Sequence, residues 1–282
     1  MTREKNWLVA GILLPFFAVF FAFQIAPLIW ILVNSFYSQT EEAWGLENYT
    51  DILSSPFYLQ AIRFSLDISF WSSFYGVIIA LIGGYSLRQL GTGRLQRFVL
   101  SFANMTSNFA GVPLDFAFVI MVGLNGFFTL LLKKYGVIDG FNIYSRDGLI
   151  LIYTYFQIPL GILLLYPAFD GLHTEWQESA ALLGAPRWRF WLHIGIPVLT
   201  PALLGTFVIL LANALGAYAT IYALTTGNFN VVPIRIAALV AGDITLDPNL
   251  DSALSVLLVL LMTLITVVHQ WLLRRSYLHA AP

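Results

Sequence analysis

A polar stretch interrupts this otherwise apolar chain, and it is the part whose residue types and spacing carry the most information: Glu178-Ser179-Ala180-Ala181-Leu182-Leu183-Gly184. After nine further residues comes Ile194-Gly195-Ile196-Pro197. The stretch offers a carboxylate for polar contact, small alanines that let another surface approach closely, and a glycine for a turn. These are the means of docking rather than of bond-making chemistry. The stretch therefore predicts a surface on which another protein binds.

Helix-capping signals predict two short helices here. Thr174 as N-cap with Gln177 at N3 forms a capping-box pattern, which satisfies free amide groups at a helix start. Gly184 suits the left-handed position just past a helix end, and Pro186 suits the first turn of the next helix. Pro197 with Pro201 is expected to bend the start of the following apolar segment. The residues alone leave an amphipathic connector between two spans equally open.

The spacing of the polar stretch resembles the EAA loop of the inner-membrane permease subunits of bacterial ABC importers. That pattern is Glu-Ala-Ala, three residues, Gly, nine residues, then Ile-x-Leu-Pro. Ser179 and Ile196 depart from it, each by a residue of similar bulk. Six apolar segments, with this loop between the fourth and fifth, resemble the type I permease fold over nearly the whole chain.

The resemblance implies a division of labour between polypeptides. The loop would be a coupling helix inserted in a cleft of a cytoplasmic ABC ATPase dimer, and the substrate would come from a periplasmic or lipid-anchored binding protein. A second permease subunit, expected to be a different chain, would complete the path. The residues that the resemblance assigns to ATPase coupling are Glu178, Ser179, Ala180, Ala181, Gly184, Ala185 and Pro186.

The chain shows no G-x-x-x-x-G-K-[ST] phosphate loop, which a P-loop ATPase requires. ATP and Mg²⁺ are therefore expected on the partner ATPase. We expect no cofactor and no enzymatic activity in this chain itself.

Polar side chains inside apolar segments are costly in lipid and tend to mark transport pathways. The candidates for a substrate path are Asp67, Asn104, Asn108, Asp115, Gln157, Asn213 and Tyr218. Hydrogen bonding between packed helices is the alternative for each of them. Two acids toward an outer vestibule favour a cationic cargo. The segment from Asn213 to Thr226 resembles the polyamine-type branch of these permeases, so a polyamine or another small solute is the expected cargo.

Composition places the chain in lipid. Hydrophobic residues make up 59% of its 282 residues and charged residues only 10%, whereas a soluble domain is about a quarter charged. The net charge of -1 disfavours nucleic acid, which attracts a basic face. Without cysteine and with four scattered histidines, a metal site is not expected.

The expected fold class is an all-α membrane protein with six transmembrane helices in a single domain, 1–282. A span takes roughly 20 apolar residues, and it is helical because lipid offers the backbone no hydrogen-bond partner. The loop predicted to couple occupies about 172–194. The spans are expected at about 8–35, 64–87, 97–124, 148–171, 195–224 and 252–273. Short surface helices are expected from Asn48 to Phe57 and from Phe127 to Tyr135.

The distribution of Lys and Arg predicts the orientation. With the N-terminus inside, nine of the 14 Lys and Arg residues fall on the inner side and five on the outer side, which follows the positive-inside rule. We therefore expect a multi-pass protein of the bacterial inner membrane with both termini cytoplasmic.

Two other classes of function remain as alternatives. An ion-coupled secondary transporter would show inverted repeats with interrupted helices in matching halves, and none is evident. A membrane-embedded enzyme would carry a catalytic cluster such as HExxH or a nucleophile elbow, and none is found.

Overall fold

The structure is a computed structural model that describes residues 13–91, 93–108, 112–136, 142–241 and 247–278. It is helical apart from one small hairpin, β1 and β2. The first half of the chain forms α1 (Ala26–Asn34, after a π-helical turn at Phe21–Ile25), β1 (Tyr37–Ser38), β2 (Ala43–Trp44), α2 (Glu47–Ser54), α3 (Pro56–Gln89), α4 (Arg94–Ser107), α5 (Val112–Val122) and α6 (Phe127–Lys134).

The second half continues with helices only. These are α7 (Arg146–Leu165, followed by a 3-10 turn at Tyr166–Gly171), α8 (Thr174–Leu182), α9 (Arg187–Phe190, followed by a π-helical turn at Trp191–Gly195), α10 (Ile196–Leu215), α11 (Tyr218–Thr225), α12 (Val232–Ala241) and α13 (Pro248–Leu278).

Six helical segments within the described ranges are long and apolar enough to cross a membrane, which confirms the predicted fold class. They are Leu13–Asn34, Pro56–Gln89, Pro113–Lys134, Arg146–Gly171, Arg187–Leu215 and Pro248–Trp271. The predicted first span begins at residue 8, and residues 8–12 lie outside the described part of the chain. The helices α2 and α6 form where short surface helices were predicted, but α6 belongs to the third apolar segment, Pro113–Lys134.

The third apolar segment lies later in the chain than the sequence predicts. The predicted span 97–124 is divided: its first part belongs to α4, which ends at Ser107, and the apolar window falls at Pro113–Lys134. The side chains of Asn104, Thr106 and Ser107 explain the early end of α4. These short polar side chains compete for backbone hydrogen bonds and favour helix ends over helix interiors.

The chain divides into two compact units, and the single transmembrane permease domain expected from the sequence stays a prediction. The first consists of residues 1–61 and 235–261. In it, the Asn48 side chain at the start of α2 donates to the carbonyl oxygens of Ser35 and Tyr37, at 3.1 and 2.9 Å. These bonds tie α2 to the end of α1 and to β1.

The second unit consists of residues 62–234 and 262–282, and it contains the predicted coupling loop. Its larger core gathers around α7, where Leu149, Ile152 and Phe156 pack against residues of α3, α5 and α11. A second cluster lies where spans two, four and five meet the loop, and its buried members are Ala80, Leu165, Phe169, Leu172 and Leu199. This second cluster positions the loop.

Candidate functional site

The first helix of the predicted coupling loop is α8, Thr174–Leu182. The helix forms as predicted, but its predicted capping box does not. His173 occupies the N-cap position, no side chain caps the first turn, and Thr174 is already helical. Since Thr174 lies one residue inside the helix, its hydroxyl is not in the N-cap position that faces the free amide groups of the first turn.

The turn after α8 has the geometry that the glycine predicts. Gly184 has a φ of +74°, a conformation that glycine adopts without a Cβ clash. The Ala185 amide donates to the Ala180 carbonyl and the Gly184 amide donates to the Ala181 carbonyl, both at 2.9 Å. This pair of bonds is a Schellman motif, which satisfies two carbonyls at the helix end.

The surface of α8 is open to solvent in this chain. None of its residues is buried, and its main helical neighbour is α9. Leu182 and Leu183 at its tip are 90% and 87% exposed, while Glu178 and Ala181 are also exposed. Two adjacent leucines at the tip of a projecting polar helix form an apolar contact point that lacks a cover in the single chain.

A short second helix returns the chain toward span five. Pro186 was predicted in the first turn of α9, but it is the N-cap residue, and the helix begins at Arg187. A π-helical turn at Trp191–Gly195 then leads into α10. Pro197 then stands in the first turn of α10, directly after the π-helical turn, and Pro201 lies inside α10. Because the chain is helical without a break from Arg187 to Leu215, each proline removes a helix hydrogen bond. A groove of about 630 Å³ separates the inner face of α8 from the start of span five, and its lining includes Trp176, Ala180, Phe190 and Pro197.

Among the predicted path residues, Asp67 forms an ion pair. Its carboxylate accepts a hydrogen bond from Arg146 Nη2 at 2.8 Å and a second one from Arg146 Nε. Arg146 also donates to Asp147 at 2.9 Å. Arg146, the partner of Asp67, lines a groove of about 700 Å³ between α3 and α7, whose walls include Trp71, Tyr75 and Tyr155. The charge of Asp67 is thus already compensated within the chain.

Gln157 lies in the contact between α3 and α7. It is fully buried, and its Nε2 donates to Ser72 Oγ at 2.9 Å while its Oε1 accepts from Ser73 Oγ at 3.1 Å. These bonds support the alternative of hydrogen bonding between helices for this residue. A role of Gln157 in the substrate path stays a prediction.

Asp115 is a buried carboxylic acid within the third apolar segment. It is 0% exposed, and neither carboxylate oxygen has a hydrogen bond of acceptable geometry within the described residues. The Thr220 hydroxyl of α11 and the Tyr153 ring of α7 are its polar neighbours. In this conformation the carboxyl group faces packed protein rather than an open vestibule.

The remaining predicted path residues lie at the surface of the chain. Asn104, Asn108, Asn213 and Tyr218 are all exposed. Asn108 caps its own helix by donating to the Asn104 carbonyl at 2.9 Å, and Tyr218 stacks near Tyr222 with ring centroids 5.3 Å apart. In contrast to the loop residues, the seven path candidates do not gather in one place.

Comparison with known families matches residues 76–276 to the binding-protein-dependent transport system inner membrane component. The match covers both the helical core and the loop. The chain belongs to this family. The family assignment agrees with the resemblance drawn from the loop residues.

The relatives of this chain are named for different cargoes. The ferric transport system permease protein FbpB of Actinobacillus pleuropneumoniae is 26% identical over 95% of the chain, which spans 39% of that protein. The diacetylchitobiose uptake system permease protein NgcG of Streptomyces coelicolor is 28% identical over 69% of the chain and 61% of its own length. The chain therefore spans about two fifths of the length of its ferric-transport relatives.

Solved structures confirm the type I importer permease fold of this inner membrane component. A chain of a bacterial ABC transporter that imports alginate superimposes with a TM-score of 0.75 at 18% identity, with 96% of both chains covered. A chain of the MetNI methionine ABC transporter superimposes with a TM-score of 0.57 at 19% identity, over 77% of this chain and 95% of that one.

The expected polyamine cargo is not supported for this chain. Its electrostatic basis was a pair of acids facing an outer vestibule, but Asp67 is paired with Arg146 and Asp115 is buried. The relatives are named for ferric iron, diacetylchitobiose and sulfate. Within the described residues, no three His, Asp or Glu side chains are grouped closely enough to hold a metal ion.

Sequence reasoning missed several residues that shape the loop of this inner membrane component. Leu182 and Leu183 fall in the unspecified positions of the motif, although two leucines before a helix-ending glycine on a polar helix were a usable signal. Tyr85 and Arg88 of span two contact the two ends of the loop. No local sequence pattern predicts those contacts, because they join residues 84 or more positions apart.

Proposed function

We propose that this chain is the permease subunit of an ATP-driven, binding-protein-dependent importer. The single observation that carries the proposal is the projecting helix α8, with no buried residue, an apolar tip at Leu182 and Leu183 and a rigid Schellman turn. A helix that exposes two leucines to water in the isolated chain is stabilised when a partner covers them. The family assignment makes a cytoplasmic ABC ATPase the fitting partner.

In the proposed mechanism, ATP and Mg²⁺ bind to the ATPase dimer and drive its closure. The chain contributes a contact surface, with Glu178 as a polar group and with Ala180 and Ala181 permitting close approach. Displacement of α8 then tilts the spans between inward-open and outward-open states. The chain holds half of the translocation path, and a substrate-binding protein delivers the cargo from outside.

A second permease subunit is part of this proposal. The ferric-transport relatives align with 95% and 98% of this chain while using only 39% and 43% of their own length. Their remaining length exceeds that of a second segment of this size. The resemblance of the loop implies a second permease subunit that supplies the other half of the path. We expect the exposed polar residues to face that subunit or the path between the two: Asn104, Asn108, Asn213 and Tyr218.

Ferric iron is the first cargo to test, because the ferric-transport relatives match this chain over more of its length than the sugar and sulfate relatives do. Selectivity is expected to reside in the binding protein. The permease path then needs only to be wide and polar enough for the delivered solute.

Reconstitution tests the proposal. The chain is co-expressed with candidate ATPase, second permease and binding-protein subunits from the same genome. We expect a stable complex in detergent, ATP hydrolysis stimulated by the loaded binding protein, and ATP-dependent uptake of ferric iron into proteoliposomes, with sulfate as the comparison cargo. Uptake driven by an ion gradient in the absence of the ATPase would contradict the importer proposal.

Cysteine labelling tests the proposed orientation, since the natural sequence contains no cysteine. Arg187→Cys, at the start of α9 within the loop, is expected to react with a membrane-impermeant maleimide only from the cytoplasmic side. Tyr135→Cys, 72% exposed after α6, is expected to react only from outside. The reverse pattern would overturn the assigned topology and with it the contact to a cytoplasmic ATPase.

A further inference from the structure

The mechanical attachment of α8 is confined to the two ends of the loop. None of its residues is buried, and the first buried residues on either side are Leu172 before it and Phe190 after it. A displacement imposed on such a helix passes to the spans through packed contacts rather than along α8 itself. The contacts made by those two ends therefore decide which spans move.

The first end of the loop is held by α3. The Arg88 guanidinium donates a hydrogen bond to the carbonyl oxygen of Leu172, a residue that is fully buried. One turn earlier, α3 approaches the 3-10 turn so closely that a Cβ on Gly84 would lie 2.8 Å from the Phe169 ring. Span two therefore contacts this end of the loop through the close approach of its backbone at Gly84 and through the hydrogen bond of the Arg88 side chain.

The second end of the loop is held by the same face of α3. The Tyr85 ring meets the Trp191 ring edge to face, with centroids 4.8 Å apart and planes at 89°. This arrangement is one that aromatic pairs prefer. Tyr85 and Arg88 are three residues apart and hence neighbours on one helical surface. One turn of span two therefore contacts the chain both where it enters and where it leaves the loop.

We propose that Tyr85 and Arg88 are positioning residues that fasten both ends of the coupling loop to span two, so that movement of α8 carries span two along with spans four and five. The proposal rests on the proposed function. Spans four and five are covalently continuous with the loop, but span two is not, so it can follow the loop only through packed side chains. Among these, Tyr85 and Arg88 contact both ends of the loop. The Gln157–Ser72 and Arg146–Asp67 bonds along α3 and α7 extend the same attachment toward the outer side.

The test uses the whole complex in proteoliposomes with variants of the two residues. Arg88→Ala and Tyr85→Leu are expected to leave assembly and stimulated ATP hydrolysis in place while the cargo transported per ATP falls by about tenfold, within the range typical of coupling between two sites. Arg88→Lys, which keeps a donor, should recover part of the loss. Arg94→Ala removes an exposed arginine at the start of α4 and should behave as the unmodified protein.

Two outcomes overturn the attachment role. One is an unchanged ratio of transport to hydrolysis in Arg88→Ala and Tyr85→Leu; the other is loss of transport that strictly follows loss of assembled complex. A Leu182→Ser, Leu183→Ser double variant separates this failure from failure of the proposed function. If that variant releases the ATPase while the span-two variants transport normally, only the attachment role is wrong. If neither set affects transport, the coupling proposal itself fails.

Discussion

The coupling loop and the polar residues of the spans differ in how their structure arises. The loop is built from neighbours in sequence, and its turn is closed by bonds between residues three and five positions apart. The polar residues of the spans take their roles from partners far along the chain, such as Arg146 for Asp67, 79 residues away. The contrast shows that a local motif predicts geometry, whereas an isolated polar residue in a helix predicts only that it has some partner.

The largest expected effect comes from breaking the local motif. Gly184→Val should abolish transport because valine in the left-handed conformation costs about 1–2 kcal/mol and moves Ala185 out of the Schellman motif. Uptake and ATPase binding are measured on the reconstituted complex. The matched control is Gly136→Val, which suffers the same strain at a φ of +66° with open space around it.

The comparison between these two glycine variants separates the effect of loop geometry on transport from the effect of backbone strain. Transport at the native rate by both the Gly184→Val and Gly136→Val proteins, with the ATPase still bound, would show that the loop geometry is irrelevant to coupling. Loss of transport in both would point to strain alone.

Sequence reasoning therefore succeeded where the determinants are local. Gly184 predicted its own backbone conformation, and the six apolar segments predicted the spans. Thr174 shows the limit of this approach, because a helix that starts one residue earlier removes a capping box. The third span shows another, since the polar end of α4 and the apolar window after it were merged into one segment.

Contacts between distant residues could not be predicted from one sequence. Gln157 and Asn213 are both amides in apolar helices, yet the first is buried between α3 and α7 and the second is exposed. Which face of a helix is covered depends on the packing of its neighbours, and no periodicity in a uniformly apolar span encodes it.

A stability experiment on these two amides sharpens the contrast. Gln157→Leu should lower the free energy of unfolding by about 1–3 kcal/mol, because Ser72 and Ser73 lose their buried partner. Asn213→Leu should leave it nearly unchanged. Unfolding is followed by circular dichroism in mixed micelles, and transport is assayed in parallel. A stable Gln157→Leu protein that fails to transport would return Gln157 to the substrate path.

The smallest expected effect concerns the ion pair of Asp67 with Arg146. Both side chains are partly exposed, at 29% and 43%, and such pairs contribute only about 0.2–1 kcal/mol. Asp67→Asn should therefore change stability little, and Asp147→Asn, at 82% exposure, even less. A double-mutant cycle of Asp67→Asn with Arg146→Gln isolates the pair energy. If Asp67→Asn instead abolishes uptake while the change in stability and the pair energy are both small, Asp67 acts on the cargo. A polar residue in a span would then be as important for transport as the loop.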